Sequence, residues 1–399
     1  MLKNVLLKQL GEKLRGLPLA VHLWDGEVMA VEEPRVRIHA SDPRALGVLI
    51  NPSLGGLARA YVEGWIDLHG DARDILDLGR TLCQAETPVR KGAGSDWRWW
   101  RHTRSRDRRN ITYHYDVSNE FYGLWLDRNR VYSCAYFEEA QDSLDIAQEK
   151  KLDLICRKLM LKPGEHLLDI GCGWGGLILW AAEKFGVQAT GITLSDNQRD
   201  YVNEEIRRRG LEGRVEVRLM DYRDVPEDPP YDKIASVGMF EHVGRRNLPE
   251  YFAKIHRLLR PGGLVMNHGI TSTAVEANGL GSGIAEFVED YVFPGGELTH
   301  VSTVMQEMAA AGLEPLDAEN LRPHYARTLW EWVERLESRQ DEAMGMIGEH
   351  KYRIWRIYMA GSAYAFERNW MALFQILGGR PLKGGKQEYP FSRRHVYST

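Results

Sequence analysis

The sequence has few cysteines, and their spacing suggests neither a cross-link nor a metal site. Cys83, Cys134, Cys156 and Cys172 are the four in 399 residues, and no two of them form a C-x-x-C pair. A disulfide framework and a zinc site are therefore not expected, and this cysteine usage fits a reducing cytoplasm.

Long apolar runs and a basic net charge are also missing. The segment MLKNVLLKQLGEKLRGL carries Lys3, Lys8 and Lys13 among its leucines, and no run there reaches the roughly 18 residues that a bilayer-spanning helix needs. Neither a secretory signal peptide nor a transmembrane helix is expected. The formal net charge of −4 argues against bulk attraction to nucleic acid, so nucleic acid is not an expected partner.

Basic charge is concentrated instead in one stretch that also holds three tryptophans. Residues 97–109 read WRWWRHTRSRDRR, in which Asp107 alone opposes six arginines. Such a block is often a solvated linker. It also suits an anionic membrane surface, where each Lys or Arg contributes about 1 kcal/mol and tryptophan favours the headgroup interface. Arg with Trp can bind single-stranded nucleic acid as well, but nothing else in the chain supports that use.

Patterning divides the chain into three parts. Residues 1–95 predict a small α/β domain, with a helix carrying Leu6, Leu10 and Leu14 and alternating stretches at 20–30 and 35–40. The basic Arg/Trp linker follows at 96–112. Residues 113–399 predict a second, larger α/β domain, because apolar strands alternate with helices as in a parallel sheet. The strand candidates are 166–170, 188–192, 215–219, 231–237 and 263–268, and residues 327–377 predict two amphipathic helices.

A glycine-rich turn follows the first of these strands. Residues 169–176 read DIGCGWGG and lead into an apolar helical run. Glycine lets the backbone approach a ligand closely, and amide groups at a helix N-terminus can meet an anion. Taken alone, this pattern suits NAD, FAD or S-adenosylmethionine.

The acidic residues near the turn favour S-adenosylmethionine. A dinucleotide enzyme needs a carboxylate at the end of the second strand, which here ends at Thr193. Asp196 lies near the required distance, but it follows Ser195 at a predicted helix cap. Asp169, just before the first glycine, suits the cationic methionine end of S-adenosylmethionine.

Five motifs occur in order through the second half of the chain. They are YSCAYF at 132–137, the glycine-rich turn, GITLSDNQ at 191–198, GMFEHVG at 238–244 and RPHYARTL at 322–329. With these motifs, residues 113–377 resemble the cyclopropane fatty acid and mycolic acid cyclopropane synthases. The resemblance implies a class I S-adenosylmethionine-dependent methyltransferase fold, which is α/β and Rossmann-like with a mostly parallel sheet. The first segment resembles the small N-terminal lipid-binding domain of the phospholipid-acting members, so membrane phospholipid is the expected substrate.

The family's site residues transfer to matching positions in this chain. Ten of them, called here the donor set, are expected around S-adenosylmethionine, with the last two at its adenine end: Tyr132, Ser133, Asp169, Gly171, Gly173, Thr193, Leu194, Gln198, Asp221 and Tyr222. In that family a bicarbonate ion lies beside the reacting carbons. The matching positions, called here the bicarbonate set, are Cys134, Glu241, His268, Ile270 and Tyr325. No metal is expected.

The chemistry of the bicarbonate set suits the reaction that the resemblance implies. An alkene is a weak nucleophile, so it accepts a methyl group only from a strong electrophile in a dry, aligned site, and a carbocation results. A base must then remove a proton from the added methyl group so that a cyclopropane ring closes. Glu241 can accept the O–H of bicarbonate, while His268, the Tyr325 hydroxyl and the Ile270 amide can donate to its oxygens. For Cys134 we expect backbone contact rather than nucleophilic attack.

Several alternatives stay open. Without the resemblance, Glu241 is a helix-capping residue, His268 a satisfied strand-end histidine and Tyr325 a core residue. Relatives of the same fold remove a different proton and leave a methylene branch, and a non-catalytic lipid-binding protein could keep the fold. The chain departs from the family pattern at Ser362, where many members have cysteine, and at Gly269, where threonine is common. A thiol at position 362 is therefore not essential, and Gly269 is expected to reshape the pocket.

The expected partners follow from the same reasoning. They are unsaturated phospholipid acyl chains and the anionic surface of the inner membrane, with the protein on the cytoplasmic side. A homodimer is left open.

Overall fold

The computed structural model describes residues 2–29, 33–83, 89–91, 118–275, 277–280, 283–292 and 297–397. The predicted basic linker, residues 96–112, lies outside these residues, so its role and the domain boundaries beside it stay predictions.

Residues 2–82 build a small α/β unit around a four-stranded sheet. Its elements are α1 (Leu2–Leu14), β1 (Leu19–Leu23), β2 (Val28–Met29), β3 (Val36–Ala40), α2 (Arg44–Ile50), α3 (Leu54–Val62), β4 (Ile66–His69) and α4 (Ala72–Leu82). The strand order is β2-β1-β3-β4, in which β1 and β3 are parallel and the other neighbours antiparallel. The predicted alternation is present in β3, which buries Val36, Ile38 and Ala40 and exposes the residues between them.

An eight-stranded sheet forms the centre of the rest of the chain, and a separate antiparallel pair, β5 (Val89–Lys91) with β11 (Ala277–Leu280), accompanies it. The strands of the large sheet are β6 (His166–Ile170), β7 (Gln188–Thr193), β8 (Val215–Leu219), β9 (Tyr231–Val237), β10 (Leu259–Ser272), β12 (Thr299–His300), β13 (Glu314–Asn320) and β14 (Met371–Gly379). Their order is β13-β14-β10-β9-β6-β7-β8, with β12 beside β10. All five predicted strands are present, and β10 is longer than the predicted 263–268.

Most of this sheet is parallel. Neighbours from β8 to β10 run in the same direction, whereas β14 is antiparallel to both β10 and β13. The order β8-β7-β6-β9-β10 corresponds to the 3-2-1-4-5 order of a Rossmann-like sheet. The predicted α/β fold with a mostly parallel sheet is therefore confirmed.

Helices cover both faces of the large sheet. The helices of this half are α5 (Asn119–Trp125), α6 (Leu144–Lys158), α7 (Gly176–Phe185), α8 (Asp196–Arg208), α9 (Leu248–Leu258), α10 (Ile284–Tyr291), α11 (Val301–Ala310), α12 (Arg322–Ser338), α13 (Gln340–Ile347), α14 (Glu349–Glu367) and α15 (Arg394–Tyr397). Successive strand residues point to opposite faces. Leu167 accordingly packs with α6, α7 and α8, while Leu168 packs with α9 and α11.

The prediction of two helices over residues 327–377 was wrong in its second half. Three helices, α12, α13 and α14, occupy residues 322–367, and residues 371–379 form the strand β14. Asn369, with φ of 58°, reverses the chain between α14 and β14. The run MALFQILGG is almost fully buried between β10 and β13, and periodicity does not separate a buried strand from a buried helix in so short an apolar run.

The N-terminal unit packs firmly on α10 and α14. Phe287 and Val292 join its hydrophobic core, and Arg353 on α14 donates to the Tyr61 carbonyl at 2.9 Å. A Cβ atom at Gly55 would lie 1.9 Å from the carbonyl oxygen of Gly283, so the two backbones meet only because position 55 has no side chain. In the described part of the chain, no helix is both long and apolar enough to cross a bilayer.

Candidate active site

A cleft of about 1220 Å³, part of it open to solvent, lies at the carboxyl ends of β6, β7 and β9. In sheets with this strand order, ligands bind where the order reverses, which here is between β6 and β9. The residues of the donor set all line this cleft. The structure therefore brings together ten residues that are spread over 91 positions of the sequence, and their individual contacts with a donor stay predictions.

The glycine-rich turn has the backbone geometry that its glycines allow. Gly171 and Gly173 have φ of 83° and 52°, in the left-handed region where most residues with a side chain are strained. Gly173 has no heavy atom within 4 Å of where a Cβ would lie. Glycine is therefore favoured at position 173 by its backbone conformation and not by a lack of space. A turn of this shape lets the backbone come close to a ligand.

Asp169 is a buried carboxylate at the end of β6. It is 3% exposed, and its Oδ1 has no hydrogen-bond partner among the described residues. Burial raises its pKa to about 7, and the nearby charge of Lys151 opposes that rise. Since a buried carboxylate is costly without a partner, the cationic methionine end of S-adenosylmethionine fits this position.

Lys151 is a cleft residue that the sequence analysis missed. Its Nζ donates to Ser133 Oγ at 2.9 Å, and burial lowers its pKa to about 8. The neighbouring Lys150 instead pairs with Asp142 at 2.8 Å. The helical spacing Leu144, Ala147, Lys151 places Lys151 on the buried face of α6, and this spacing is the signal that could have found it.

The acidic residue that a dinucleotide enzyme would need does not reach the cleft. Ser195 caps α8, as predicted, because its hydroxyl accepts from the Gln198 N–H at 3.3 Å. The Asp196 side chain is 57% exposed and pairs with Arg199 at 2.8 Å. The choice of a methyl donor over a nicotinamide cofactor therefore agrees with the geometry.

The end of the cleft that is predicted to hold adenine contains a fixed carboxylate and an aromatic ring. Asp221 accepts from Arg223 Nε and Nη2 at 2.8 and 2.6 Å. The Tyr222 ring packs edge-on against Tyr251, with ring centroids 5.4 Å apart. Asp221 and Tyr222 therefore have defined orientations beside the space predicted for adenine.

Glu241 lies in the 3-10 turn Phe240–His242 after β9. Its neighbours Met239 and His242 line the cleft, whereas Glu241 Oε1 accepts from the Ile270 N–H at 2.6 Å. Glu241 Oε2 is buried without a hydrogen-bond partner among the described residues, and burial raises the pKa of this carboxyl to about 7. In this structure the Ile270 amide, predicted to donate to bicarbonate, orients Glu241.

His268 lies two residues before Ile270 on β10 and is fully buried. Its Nε2 has no hydrogen-bond partner in the described part of the chain. Burial, together with the charges of Lys151 and Lys158, lowers its pKa well below the ordinary value. The imidazole is therefore neutral.

Cys134 and Tyr325 complete the bicarbonate set near the same junction. The Cys134 thiol lies 3.8 Å from the Leu321 carbonyl, which also accepts from the Tyr325 N–H at 3.0 Å. The Leu321 N–H donates to the carbonyl of Leu373, the residue opposite Ile270 in the β10–β14 ladder. Burial raises the pKa of Cys134, so its thiol stays protonated, and the expected backbone contact of Cys134 with a bound anion stays a prediction.

Gly269 makes room for an aromatic ring beside Glu241. A Cβ atom at this position would lie 2.3 Å from Phe240 Cε1 and 2.8 Å from Glu241 Oε1. The departure from the family's threonine thus accompanies a ring that fills the space next to the carboxylate. Ser362, the other departure, is partly buried on α14.

A continuous aromatic wall joins the donor cleft to the bicarbonate set. Tyr132, which lines the cleft, lies 5.3 Å from Trp332 between ring centroids, and Trp332 lies 6.1 Å from Tyr325. The Tyr325 ring in turn lies 4.7 Å from Phe366. These rings therefore form a connected aromatic surface between the cleft and Tyr325.

The fold, the cleft and the buried Asp169 define the class of this protein as an S-adenosylmethionine-dependent methyltransferase. The sequence profile described as mycolic acid cyclopropane synthetase matches residues 102–376, and the chain belongs to that family.

Named relatives agree with this assignment. The chain is 43% identical over 402 residues to the probable fatty acid methyltransferase of Pseudomonas putida, covering 98% of this chain and 100% of that protein. It is 37% identical over 272 residues to the cyclopropane-fatty-acyl-phospholipid synthase of Escherichia coli (strain K12), covering 68% of each. The crystal structure of mycolic acid cyclopropane synthase CmaA1 complexed with SAH and CTAB has 34% identity and a TM-score of 0.64, covering 68% of this chain and 97% of that one.

Proposed function

We propose that the chain transfers a methyl group from S-adenosylmethionine to the cis double bond of an unsaturated phospholipid acyl chain and forms a cyclopropane ring. One observation carries the proposal. A buried acceptor, Glu241 Oε2, and a buried nitrogen, His268 Nε2, have no partners among the described residues, and an aromatic wall connects Tyr325 of the same bicarbonate set to the donor cleft. Two such atoms in a methyltransferase that acts on lipids suit a small polar group held beside an apolar substrate.

The bonding changes balance without an oxidant or reductant. The π electrons of the alkene form a bond to the methyl carbon, and the sulfur–methyl bond breaks with its electron pair left on sulfur. The acyl chain is now a carbocation. Loss of one proton from the added methyl group leaves an electron pair that closes the three-membered ring.

The chain's own residues hold the donor and align it. S-adenosylmethionine supplies the electrophilic methyl group when it is bound. Asp169 offers a buried negative charge to its cationic end, while Lys151 fixes the Ser133 hydroxyl beside it. Such preorganisation keeps the methyl group in line with the alkene.

The bicarbonate set fits an anion that carries a proton donor of its own. Bicarbonate supplies a base for the methyl proton when it is bound. Glu241 Oε2 would accept its O–H, and His268 Nε2 and the Tyr325 hydroxyl would meet its oxygens. Satisfying two buried polar atoms with one small ion removes the cost of leaving them unpaired.

The aromatic wall has two roles in the proposal. It keeps water from trapping the cation, and ring faces stabilise a desolvated cation by about 2 kcal/mol or more. Trp332 is fully buried, so its ring has no contact with solvent.

A second candidate is the same methyl transfer with a methylene branch as product. It is supported by the Pseudomonas putida relative, which matches 98% of this chain and is named a probable fatty acid methyltransferase rather than a cyclopropane synthase. Donor, substrate and cation are shared with the first candidate. The two differ in one step before the proton is lost. Migration of a hydride from the methyl-bearing carbon to the neighbouring cationic carbon moves the positive charge, and loss of a methyl proton then gives the methylene branch instead of the ring.

Product analysis tests the proposal directly. The protein is incubated with S-adenosylmethionine, bicarbonate and vesicles of dioleoyl phospholipid, and the acyl chains are examined by mass spectrometry. We expect a gain of about 14 mass units from one added CH₂. Proton NMR separates the candidates, because ring protons resonate upfield and vinylidene protons downfield. Acyl chains of unchanged mass would leave only a lipid-binding role on a methyltransferase fold.

We also propose that the protein works at the anionic inner surface of the membrane, on the cytoplasmic side. The arginine and tryptophan content of residues 96–112 supports this, since both residue types favour such a surface.

A further inference from the structure

Two buried side chains, Lys158 and Gln375, lie behind His268 of the bicarbonate set. Gln375 on β14 lies directly opposite His268 in the β10–β14 ladder, and Lys158 lies at the end of α6. All three side chains are at most 1% exposed. Such groups are costly to bury unless their hydrogen bonds are made, so the direction of each bond carries information.

Lys158 fixes the orientation of the Gln375 amide. Its Nζ lies 2.6 Å from Gln375 Oε1 and also pairs with Glu319. An ammonium group donates and cannot accept, so the glutamine atom that faces it must be the oxygen. The amide nitrogen is thereby turned toward His268.

The amide then fixes the tautomer of His268. Gln375 Nε2 lies 3.2 Å from His268 Nδ1. Since the amide nitrogen can only donate, Nδ1 must accept, and the single proton of a neutral imidazole is on Nε2. His268 Nε2 is the buried atom without a partner among the described residues, so it is an N–H donor that points at no acceptor within them.

We propose that Lys158 and Gln375 are positioning residues that hold His268 as the Nε2–H tautomer, so that it donates a hydrogen bond to an oxygen of the bound bicarbonate. The role in turnover rests on the proposed function. The arrangement also excludes His268 Nε2 as the base that removes the methyl proton, because that nitrogen already carries its proton. Outer partners of this kind set tautomer, ring orientation and basicity for histidines that bind metal ions, and we apply the same reasoning to a histidine that faces an anion.

The test reads the tautomer without needing turnover. The full chain is labelled with ¹⁵N-histidine, and long-range ¹H–¹⁵N spectra identify His268 by the signals lost in His268→Gln. We expect the Nε2–H pattern in the wild type and a change in its Nε2 signal on titration with bicarbonate. An Nδ1–H or doubly protonated pattern, or no response to bicarbonate, would overturn the proposal.

Gln375→Glu is the informative variant because it keeps the side-chain shape. A carboxylate at position 375 accepts a hydrogen bond from Nδ1–H. The single proton of the imidazole is then on Nδ1, and Nε2 has no proton to donate to bicarbonate. We expect the Nδ1–H pattern and at least about a tenfold loss of bicarbonate affinity, with affinity for S-adenosylhomocysteine unchanged. Gln188→Glu, at an exposed position on β7, is the control. It should leave the His268 tautomer and the bicarbonate affinity unchanged. Unaltered bicarbonate affinity in a folded Gln375→Glu would contradict the proposal.

These outcomes separate the inference from the proposed function. A wild type that shows the Nε2–H tautomer and binds bicarbonate, yet adds no mass to lipid, refutes the reaction and leaves the tautomer assignment standing. A wild type that forms cyclopropane but shows the Nδ1–H pattern refutes the assignment and leaves the reaction standing. If Gln375→Glu does not fold, the wild-type spectrum and titration still decide.

Discussion

The carboxylate of Glu241 accepts a hydrogen bond from the backbone N–H of Ile270 at 2.6 Å. This bond ties the turn after β9 to the carboxyl half of β10, and it leaves Oε2 as the atom available to a ligand. Glu241→Gln keeps the shape and can still accept from Ile270, but it loses the negative charge. We expect turnover to fall about a hundredfold or more, measured as methyl transfer to dioleoyl phospholipid.

Donor binding should survive in Glu241→Gln, because Glu241 does not line the cleft. Calorimetry with S-adenosylhomocysteine checks this. The control is Glu250→Gln, an exposed position in the first turn of α9. Turnover near normal in Glu241→Gln would remove this carboxylate from the mechanism.

Donor affinity should depend on pH through Asp169. Its pKa is raised to about 7, so the carboxyl becomes protonated as pH falls through 7 and then offers no charge to a cationic donor. We expect the affinity of the wild type for S-adenosylmethionine to fall as pH drops from 8 to 6. The Asp169→Asn variant should bind S-adenosylmethionine weakly at both pH values. Isothermal titration without lipid measures it. Asp196→Asn, altering an exposed carboxylate, should match the wild type, and a wild-type affinity independent of pH would contradict the assignment.

The same carboxylate should destabilise the donor-free fold. A folded-state pKa raised above the ordinary value means that Asp169 contributes less stability as pH rises from about 4 to 7. Thermal unfolding of donor-free Asp169→Asn at pH 8 is therefore expected at a higher temperature than that of the wild type. A lower melting temperature would show that Asp169 has a favourable partner in the apo protein.

A side chain at position 269 should displace Phe240 and Glu241. The Cβ of Gly269→Ala would lie 2.3 Å from Phe240 Cε1, and overpacking of this kind costs about 1–3 kcal/mol. We expect a lower unfolding midpoint in denaturant and reduced turnover. Gly345→Ala on α13 meets no atom within 4 Å and should stabilise the helix slightly. Equal stability of Gly269→Ala and wild type would show that the ring moves freely.

Thiol chemistry should not contribute to activity. Burial raises the pKa of Cys83 to about 11 and that of Cys134, Cys156 and Cys172 as well, so thiolate is scarce at pH 8. We expect iodoacetamide to leave turnover of the folded protein unchanged, while mass spectrometry finds all four cysteines alkylated after unfolding. Rapid inactivation that parallels modification of Cys134 would contradict this.

The basic linker should bind anionic membranes. The test variant neutralises four of its arginines together, namely Arg101, Arg104, Arg106 and Arg108. We expect its binding to phosphatidylglycerol vesicles to be weaker than that of the wild type, and high salt should weaken wild-type binding in the same way. Vesicle sedimentation measures binding. A matched control variant should bind the vesicles normally. It neutralises four exposed basic residues outside the linker, namely Lys162, Arg207, Lys383 and Lys386. Unchanged binding of the linker variant would leave it a solvated linker.

The sequence by itself determined the local elements that form the cleft. The glycine-rich turn, the cap at Ser195 and the strands β6 to β9 depend on spacing and propensity over a few neighbouring residues. These signals depend on neighbouring residues, so they can be recognised in the sequence without the tertiary structure. The choice of S-adenosylmethionine over a dinucleotide followed from where Asp169 and Asp196 lie along the chain, and the exposure of Asp196 agrees with it.

Only the tertiary structure decided which groups are buried and what they bond. β14 is a strand because it completes the sheet beside β10, more than 100 positions earlier in the chain, and its own apolar pattern does not say so. Lys151 and Lys150 are adjacent in sequence, yet Lys151 faces the cleft and Lys150 forms an ion pair with Asp142. The tautomer of His268 depends on Gln375, 107 residues away. Burial and hydrogen-bond direction arise from such distant contacts, which no local pattern contains.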